Sequence, residues 1–217
     1  MVTNMKKVLA AASALALAGT GIAIAPLAAQ GPAASQWSIG PWVKGRNHSV
    51  GMPSTMSDGR EGAFLEFPTE GQGSVHYVTV PVRSLQGARS ITLRYRVDAA
   101  RGVRFVPTEF SSQPATVSLY FQRAGDGWTG RTPMHRWYAP SSHVMTLKPG
   151  TYSVTVPLSA DWIAMNGSNA RAQPGAFAAA VDQAANVGFV FGSSERRGHG
   201  VFATGPARFT VLDYSID

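Results

Sequence analysis

The chain has 217 residues, 44% hydrophobic and only 14% charged, with 23 Gly, 14 Pro and no Cys, so one packed domain is expected and whole-chain disorder is excluded. The missing cysteines exclude disulfide scaffolds, Cys-ligated zinc, iron–sulfur clusters, thiol nucleophiles and lipid anchors on cysteine. Basic residues outnumber acidic ones, 19 to 12, for a net charge of +7, a balance whose meaning depends on compartment.

Residues 1–29 read as a secretory signal peptide. Lys6 and Lys7 precede an uncharged, Ala- and Leu-rich stretch from Val8 to Ala25, and Ala28 and Ala29 permit cleavage before Gln30. An uncleaved anchor helix is the competing reading, but Gly19, Thr20 and Gly21 interrupt the stretch and its alanines leave it weakly apolar. The expectation is a secreted or periplasmic protein with no stable membrane insertion after cleavage. Losing Lys6 and Lys7 leaves 17 basic residues, 15 of them Arg, against 12 acidic, a net +5. Arg usage with abundant Ala and Gly follows from a GC-rich genome as readily as from a binding surface. If the charge has a partner in an exported protein, that partner is a polysaccharide or envelope glycan and no nucleic acid.

In chain order, residues 30–35 are small and are expected to form a flexible leader, and 36–217 a single β-sandwich domain. Beyond them the apolar pattern has period two. In Ser90 to Asp98, Ile91, Leu93, Tyr95 and Val97 share one face while Thr92, Arg94, Arg96 and Asp98 share the other, which describes an antiparallel strand buried on one side. Thr116 to Arg123 repeats this with Val117, Leu119 and Phe121, and Thr151 to Leu158 with Tyr152, Val154 and Val156. Further strands are expected at 62–67, 74–80, 134–138, 143–147, 186–192 and 208–216, about nine in all. A short strand is also expected between Trp37 and Trp42, and another at Ala160 to Asp161 before Trp162. In the last long strand the apolar face switches between Phe209 with Val211 and Leu212 with Tyr214 and Ile216, which predicts a β-bulge or burial on both sides. One helix is expected, Pro174 to Ala185, with Pro near its start and Phe177 four residues before Val181. The fold class is therefore all-β: an antiparallel jelly-roll β-sandwich with one short helix.

The segments PGTYSVTVPLSADW, AFAAAVDQAANVGFVFG and ARFTVLDYSI, in that order, make roughly residues 60–217 resemble the galactose-binding-like jelly roll of many carbohydrate-binding modules. The resemblance is at the level of fold. It implies exposed aromatic side chains that stack on sugar rings, and a structural calcium held partly by an acid near the last strand, where Asp213 stands; no other cofactor is expected.

The stretch FQRAGDGWTGRTPMHRWYAP, residues 121–140, carries the strongest binding signal. It sets Trp128, Trp137 and Tyr138 beside Asp126, Arg131, His135 and Arg136 around a Gly-rich turn. Flat aromatic faces suit the C–H side of a pyranose, and fixed polar groups suit its hydroxyls. Parity separates Trp137 from Tyr138, so one of the two faces the core. A second stretch, Ser193 to Gly205, brings Glu195, Arg196, Arg197 and His199 between glycines; the Arg pair suits a carboxylate or sulfate, while a mobile loop has the same composition. Trp37, Trp42 and Trp162 are expected in the core or at its rim. The five histidines have no metal-ligand spacing, and no nucleophile elbow, P-loop or dinucleotide fingerprint occurs.

These residues point to an exported, non-catalytic carbohydrate-binding sandwich, with Trp128, Trp137 or Tyr138 stacking and Asp126, Arg136 and His199 supplying polar contacts. One alternative is a structural or interaction protein of the cell envelope. Another is a polysaccharide-cleaving enzyme that draws on Glu109, Asp126 or Glu195.

Overall fold

The computed structural model describes residues 31–217; the signal peptide expected over 1–29, and Gln30, lie outside the described residues. The described chain is an all-β sandwich with one helix, and its ladders are antiparallel. It has fifteen strands where the alternation pattern predicts about nine. The nine predicted segments correspond to β4 (Phe64–Glu66), β5 (Tyr77–Pro81), β6 (Ser90–Ala99), β8 (Thr116–Arg123), β9 (Arg136–Tyr138), β10 (Met145–Thr146), β11 (Gly150–Pro157), β13 (Ala184–Gly192) and β15 (Ala207–Ile216). The other six are β1 (Ser38–Gly40), β2 (Trp42–Val43), β3 (Arg46–Asn47), β7 (Phe105–Pro107), β12 (Ile163–Ala164) and β14 (Val201–Ala203). β1 is the short strand expected between Trp37 and Trp42; the remaining five have two or three residues each, too few for a period of two to register. The strand expected at Ala160 to Asp161 is corrected to β12, which follows Trp162 instead of preceding it.

Two sheets form the layers. The larger has seven strands, in the order β1-β5-β13-β8-β9-β12, with β10 also pairing β8; the smaller has the order β11-β6-β15-β4. Between them lies an aromatic core. Phe189 and Phe191 of the large sheet meet Phe209 of the small one at centroid distances of 5.1 and 5.2 Å, and Phe209 stacks on Tyr95 at 4.7 Å. The predicted bulge is present: the β15–β6 register shifts between Val211 and Asp213, so Leu212 is the extra residue. Phe209 and Val211 on one parity and Tyr214 on the other can then all face inward.

The helix α1 (Pro174–Asp182) starts on Pro174 and ends three residues before the predicted boundary, because Ala184 already pairs in β13. Its Phe177 packs on Trp137 and Phe121, and Phe121 also meets Trp162. Burying side chains of this size contributes about 1.5–3 kcal/mol each, the main stabilisation open to a chain without disulfides. The start of the described chain, within the leader expected over 30–35, makes contacts with the sandwich. Ala34 is buried and the Trp37 indole N–H donates to Pro32 O at 3.3 Å. No helix among the described residues is long and apolar enough to cross a membrane.

Candidate functional site

The small sheet turns an open, charged face to solvent: Arg96 holds Glu61 and Asp98, and Arg208 lies over the Phe64 ring. The large sheet differs. Every residue of β8 from Thr116 to Gln122 is buried, including the parity predicted to face water. Val117, Leu119 and Phe121 enter the main core, whereas Tyr120 lies on the other face with Tyr77, Tyr138 and Val190, beneath Trp128 and Met165. Register explains the grouping. Gly188 lies opposite Tyr120, Tyr120 opposite Tyr138, and Tyr77 opposite Val190. The tyrosines form one aromatic floor, with Tyr77 5.0 Å from Tyr120 and Tyr120 5.2 Å from Tyr138. The Tyr77 and Tyr138 hydroxyls share a 2.8 Å hydrogen bond, and burial pushes all three phenol pKa values up, so they stay neutral.

Residues 124–135 seal this face. At their centre Asp126 has no exposed side-chain surface and Arg136 only 8%, and they form an ion pair at 2.9 Å. The Asp126 carboxylate also accepts from Gln122 Nε2 at 2.9 Å, Thr132 Oγ1 at 3.1 Å and the Trp128 amide at 3.1 Å. Arg136 donates through Nη2 to Thr129 O at 2.6 Å and lies 5.5 Å from the Trp128 ring centre. The clasp holds Trp128 at φ 58°, a left-handed conformation costly for a bulky residue, with its ring edge-to-face on Tyr77 at 4.9 Å.

The six residues singled out from sequence therefore separate. Trp128 is half-exposed and aimed at the outer face. Tyr138 lies beneath that face as floor. Asp126 and Arg136 bind each other and the loop, the carboxylate taking three hydrogen bonds besides the ion pair. Trp137 is fully buried, its indole N–H donating to Met134 O at 2.8 Å, so it packs the core and cannot stack on a ligand. His199 lies on an exposed loop across a depression from Tyr138, its Nδ1 3.0 Å from Glu109 Oε1.

Two depressions flank the tyrosine floor. One, of about 270 Å³, lies between Trp42 and Trp128, with Tyr77, Thr79, Gln122 and Asn186 along it. Trp42 is 47% exposed, the most exposed large aromatic at this face, where the sequence suggests a core or rim residue. Its indole N–H is tied to Ile39 O at 3.2 Å. Trp37 and Trp162 are buried as expected. Only pairing of β1 with β5, Gly40 opposite Tyr77, brings Trp42 to this groove; no local pattern around Trp42 signals it.

The second depression, of about 170 Å³, lies between Tyr138 and Met165 on one side and Glu195, Arg196, Arg197 and His199 on the other. Its two arginines are not equivalent. Arg197 is spent on structure, donating to Ala139 O, to Ser141 Oγ at 2.9 Å and to Ser194 O, and burial lowers its pKa. Arg196 faces Glu109 at 3.9 Å. The glycines beside His199 serve packing: a Cβ at Gly198 would overlap the Tyr77 hydroxyl and one at Gly200 the His76 ring. Beneath them His76 is half-buried, and desolvation followed by the fields of His199 and His48 lowers its pKa to about 4.

Asp213, the acid that the resemblance sets near a calcium, sits opposite Arg94 in β6, and among the described residues no group of three or more His, Asp or Glu side chains could hold a metal ion. No protein-family model matches the chain, and no curated protein matches it.

Proposed function

We propose that the protein is an exported, non-catalytic carbohydrate-binding sandwich of the galactose-binding-like jelly-roll type, and that a stretch of polysaccharide or envelope glycan lies in the groove between Trp42 and Trp128. One observation carries this reading: two tryptophans border one groove whose polar lining includes an amide pair, Gln122 and Asn186, and a hydroxyl, Thr79, beside the charged Arg123 and Asp126. Aromatic walls with several donors and acceptors suit pyranose rings, whose C–H faces are apolar and whose hydroxyls both give and accept hydrogen bonds. The binding set thus becomes Trp42, Trp128, Gln122 and Asn186, with Asp126 and Arg136 as the clasp behind Trp128.

The test is titration of the protein with a panel of neutral and acidic polysaccharides, followed by Trp42→Ala and Trp128→Ala. Each stacking ring contributes on the order of 1–2 kcal/mol, so each variant should weaken the best ligand about tenfold. Unchanged affinity in both variants, or no affinity of the wild-type protein for any glycan, overturns the assignment.

A further inference from the structure

The small sheet ends on β11, and no strand lies beyond it among the described residues. β11 pairs with β6 without a bulge from Gly150 opposite Val97 to Pro157 opposite Ser90. One step further in the same register, the Leu158 N–H donates to Arg89 O at 2.8 Å, while Ser90 directs its own N–H and C=O at Asp217 on the opposite side. Hydrogen bonding to β6 therefore belongs to the even-numbered residues of β11. Thr151, Ser153 and Thr155 turn their N–H and C=O groups outward. All three are exposed, and no protein acceptor meets their N–H groups among the described residues. The turn at Ser141–His143 approaches β11 but bonds none of them.

Open edges are normally blunted by charge, a bulge or proline. β11 has neither charge nor bulge. It does have prolines, and their placement is informative. Pro149 and Pro157 stand four residues before and four residues after Ser153, in the outward phase, where each lacks the N–H that would extend a ladder. The open window is thus symmetric about Ser153.

We propose that this edge is a self-association surface. β11 of one copy pairs antiparallel with β11 of a second copy about a two-fold axis at Ser153, joining two four-stranded sheets into one. In that register Ser153 lies opposite the partner's Ser153 and Thr151 opposite the partner's Thr155. Every outward N–H in the window then finds a carbonyl, and the prolines fall at both ends. Half-buried Tyr152 comes opposite the partner's Val154, adding apolar contact on the core side. A two-fold interface sets each charge near its own copy, so an uncharged strand suits it. A foreign peptide needs no such symmetry. The Trp42 and Trp128 groove belongs to the other sheet and stays open.

The absence of cysteine makes the test direct. Facing residues of a hydrogen-bonded antiparallel pair have Cα atoms about 5.5 Å apart, within disulfide range. Ser153→Cys should therefore oxidise to a covalent dimer at least tenfold faster than Thr155→Cys, whose equivalent lies several residues away. Sedimentation of the wild-type protein across a concentration series should show a monomer–dimer equilibrium, weakened at least tenfold in Thr151→Lys/Thr155→Lys with an unchanged circular dichroism spectrum. A wild-type protein that stays monomeric at every concentration, or equal cross-linking rates for the two cysteine variants, overturns the proposal. Ser153→Pro, which removes the central outward N–H, gives a second check: dimerisation as tight as wild type refutes the pairing.

Discussion

Asp126→Ala tests the clasp that positions Trp128. The substitution removes the counter-charge from Arg136, whose side chain is 8% exposed, together with acceptors for Gln122, Thr132 and the Trp128 amide. Removing one partner of a buried pair costs about 3–5 kcal/mol because the surviving charge stays buried without compensation. At about 2–4 °C per kcal/mol for a chain of this size, the melting temperature should fall by roughly 6–20 °C. Calorimetry and urea unfolding followed by tryptophan fluorescence measure both quantities. The diagnostic comparison is Asp126→Ala/Arg136→Met, which deletes both charges and should recover most of the loss. Trp128 depends on Asp126 for its left-handed turn, so the stabilised double variant should still bind glycan more weakly than wild type. An Asp126→Ala variant within 1 kcal/mol of wild type, on the order of the cost of an exposed pair, would refute the buried-clasp reasoning. So would a double variant no more stable than the single one.

Three further expectations follow from burial and close packing. His76, held neutral with its pKa lowered from 6.5 to about 4, lets the unfolded chain take up a proton first as pH falls, so it costs up to about 3 kcal/mol of stability between pH 6.5 and 4; urea unfolding at pH 7 and 4.5 should show a smaller acid loss for His76→Leu, and an identical loss speaks against it. Trp137→Ala should destabilise by about 3–5 kcal/mol while leaving a folded fraction able to bind glycan, whereas exposed Trp42→Ala should cost under about 1 kcal/mol yet weaken binding; denaturant midpoints beside titrations separate the two, and the reverse order refutes the assignment. Gly167→Ala meets open space and should cost only the left-handed backbone, about 1–2 kcal/mol, while Gly198→Ala adds an overlap with the Tyr77 hydroxyl and should melt several degrees lower; equal melting temperatures contradict that contact.

The long strands are legible in the sequence because alternation is a local property. Ile91, Leu93, Tyr95 and Val97 point inward as their parity requires, and the switch after Val211 betrays the bulge at Leu212. The short strands β2, β3, β7 and β14 are not legible, since they exist only through their pairing partners, and β12 is displaced from its expected place before Trp162. For the candidate site, sequence composition singles out residues 121–140, and parity places Trp137 and Tyr138 on opposite sides. Neither observation says which side is sealed.

That choice belongs to tertiary structure. Tyr120 and Gln122 are buried because β8 runs between β13 and β9 and residues 124–135 fold back over its outer face. Asp126 and Arg136 resemble sugar-binding groups in sequence, yet the nine residues of intervening loop bring them together as a closed pair. Trp42, unremarkable in its local sequence, reaches the groove through β1 pairing with β5 across nearly forty residues. Side-chain alternation requires only neighbouring residues, so the chain alone determines strands and faces; burial of a face requires partners from elsewhere in the chain, and only the assembled sheets decide which aromatic residues are left to meet a ligand.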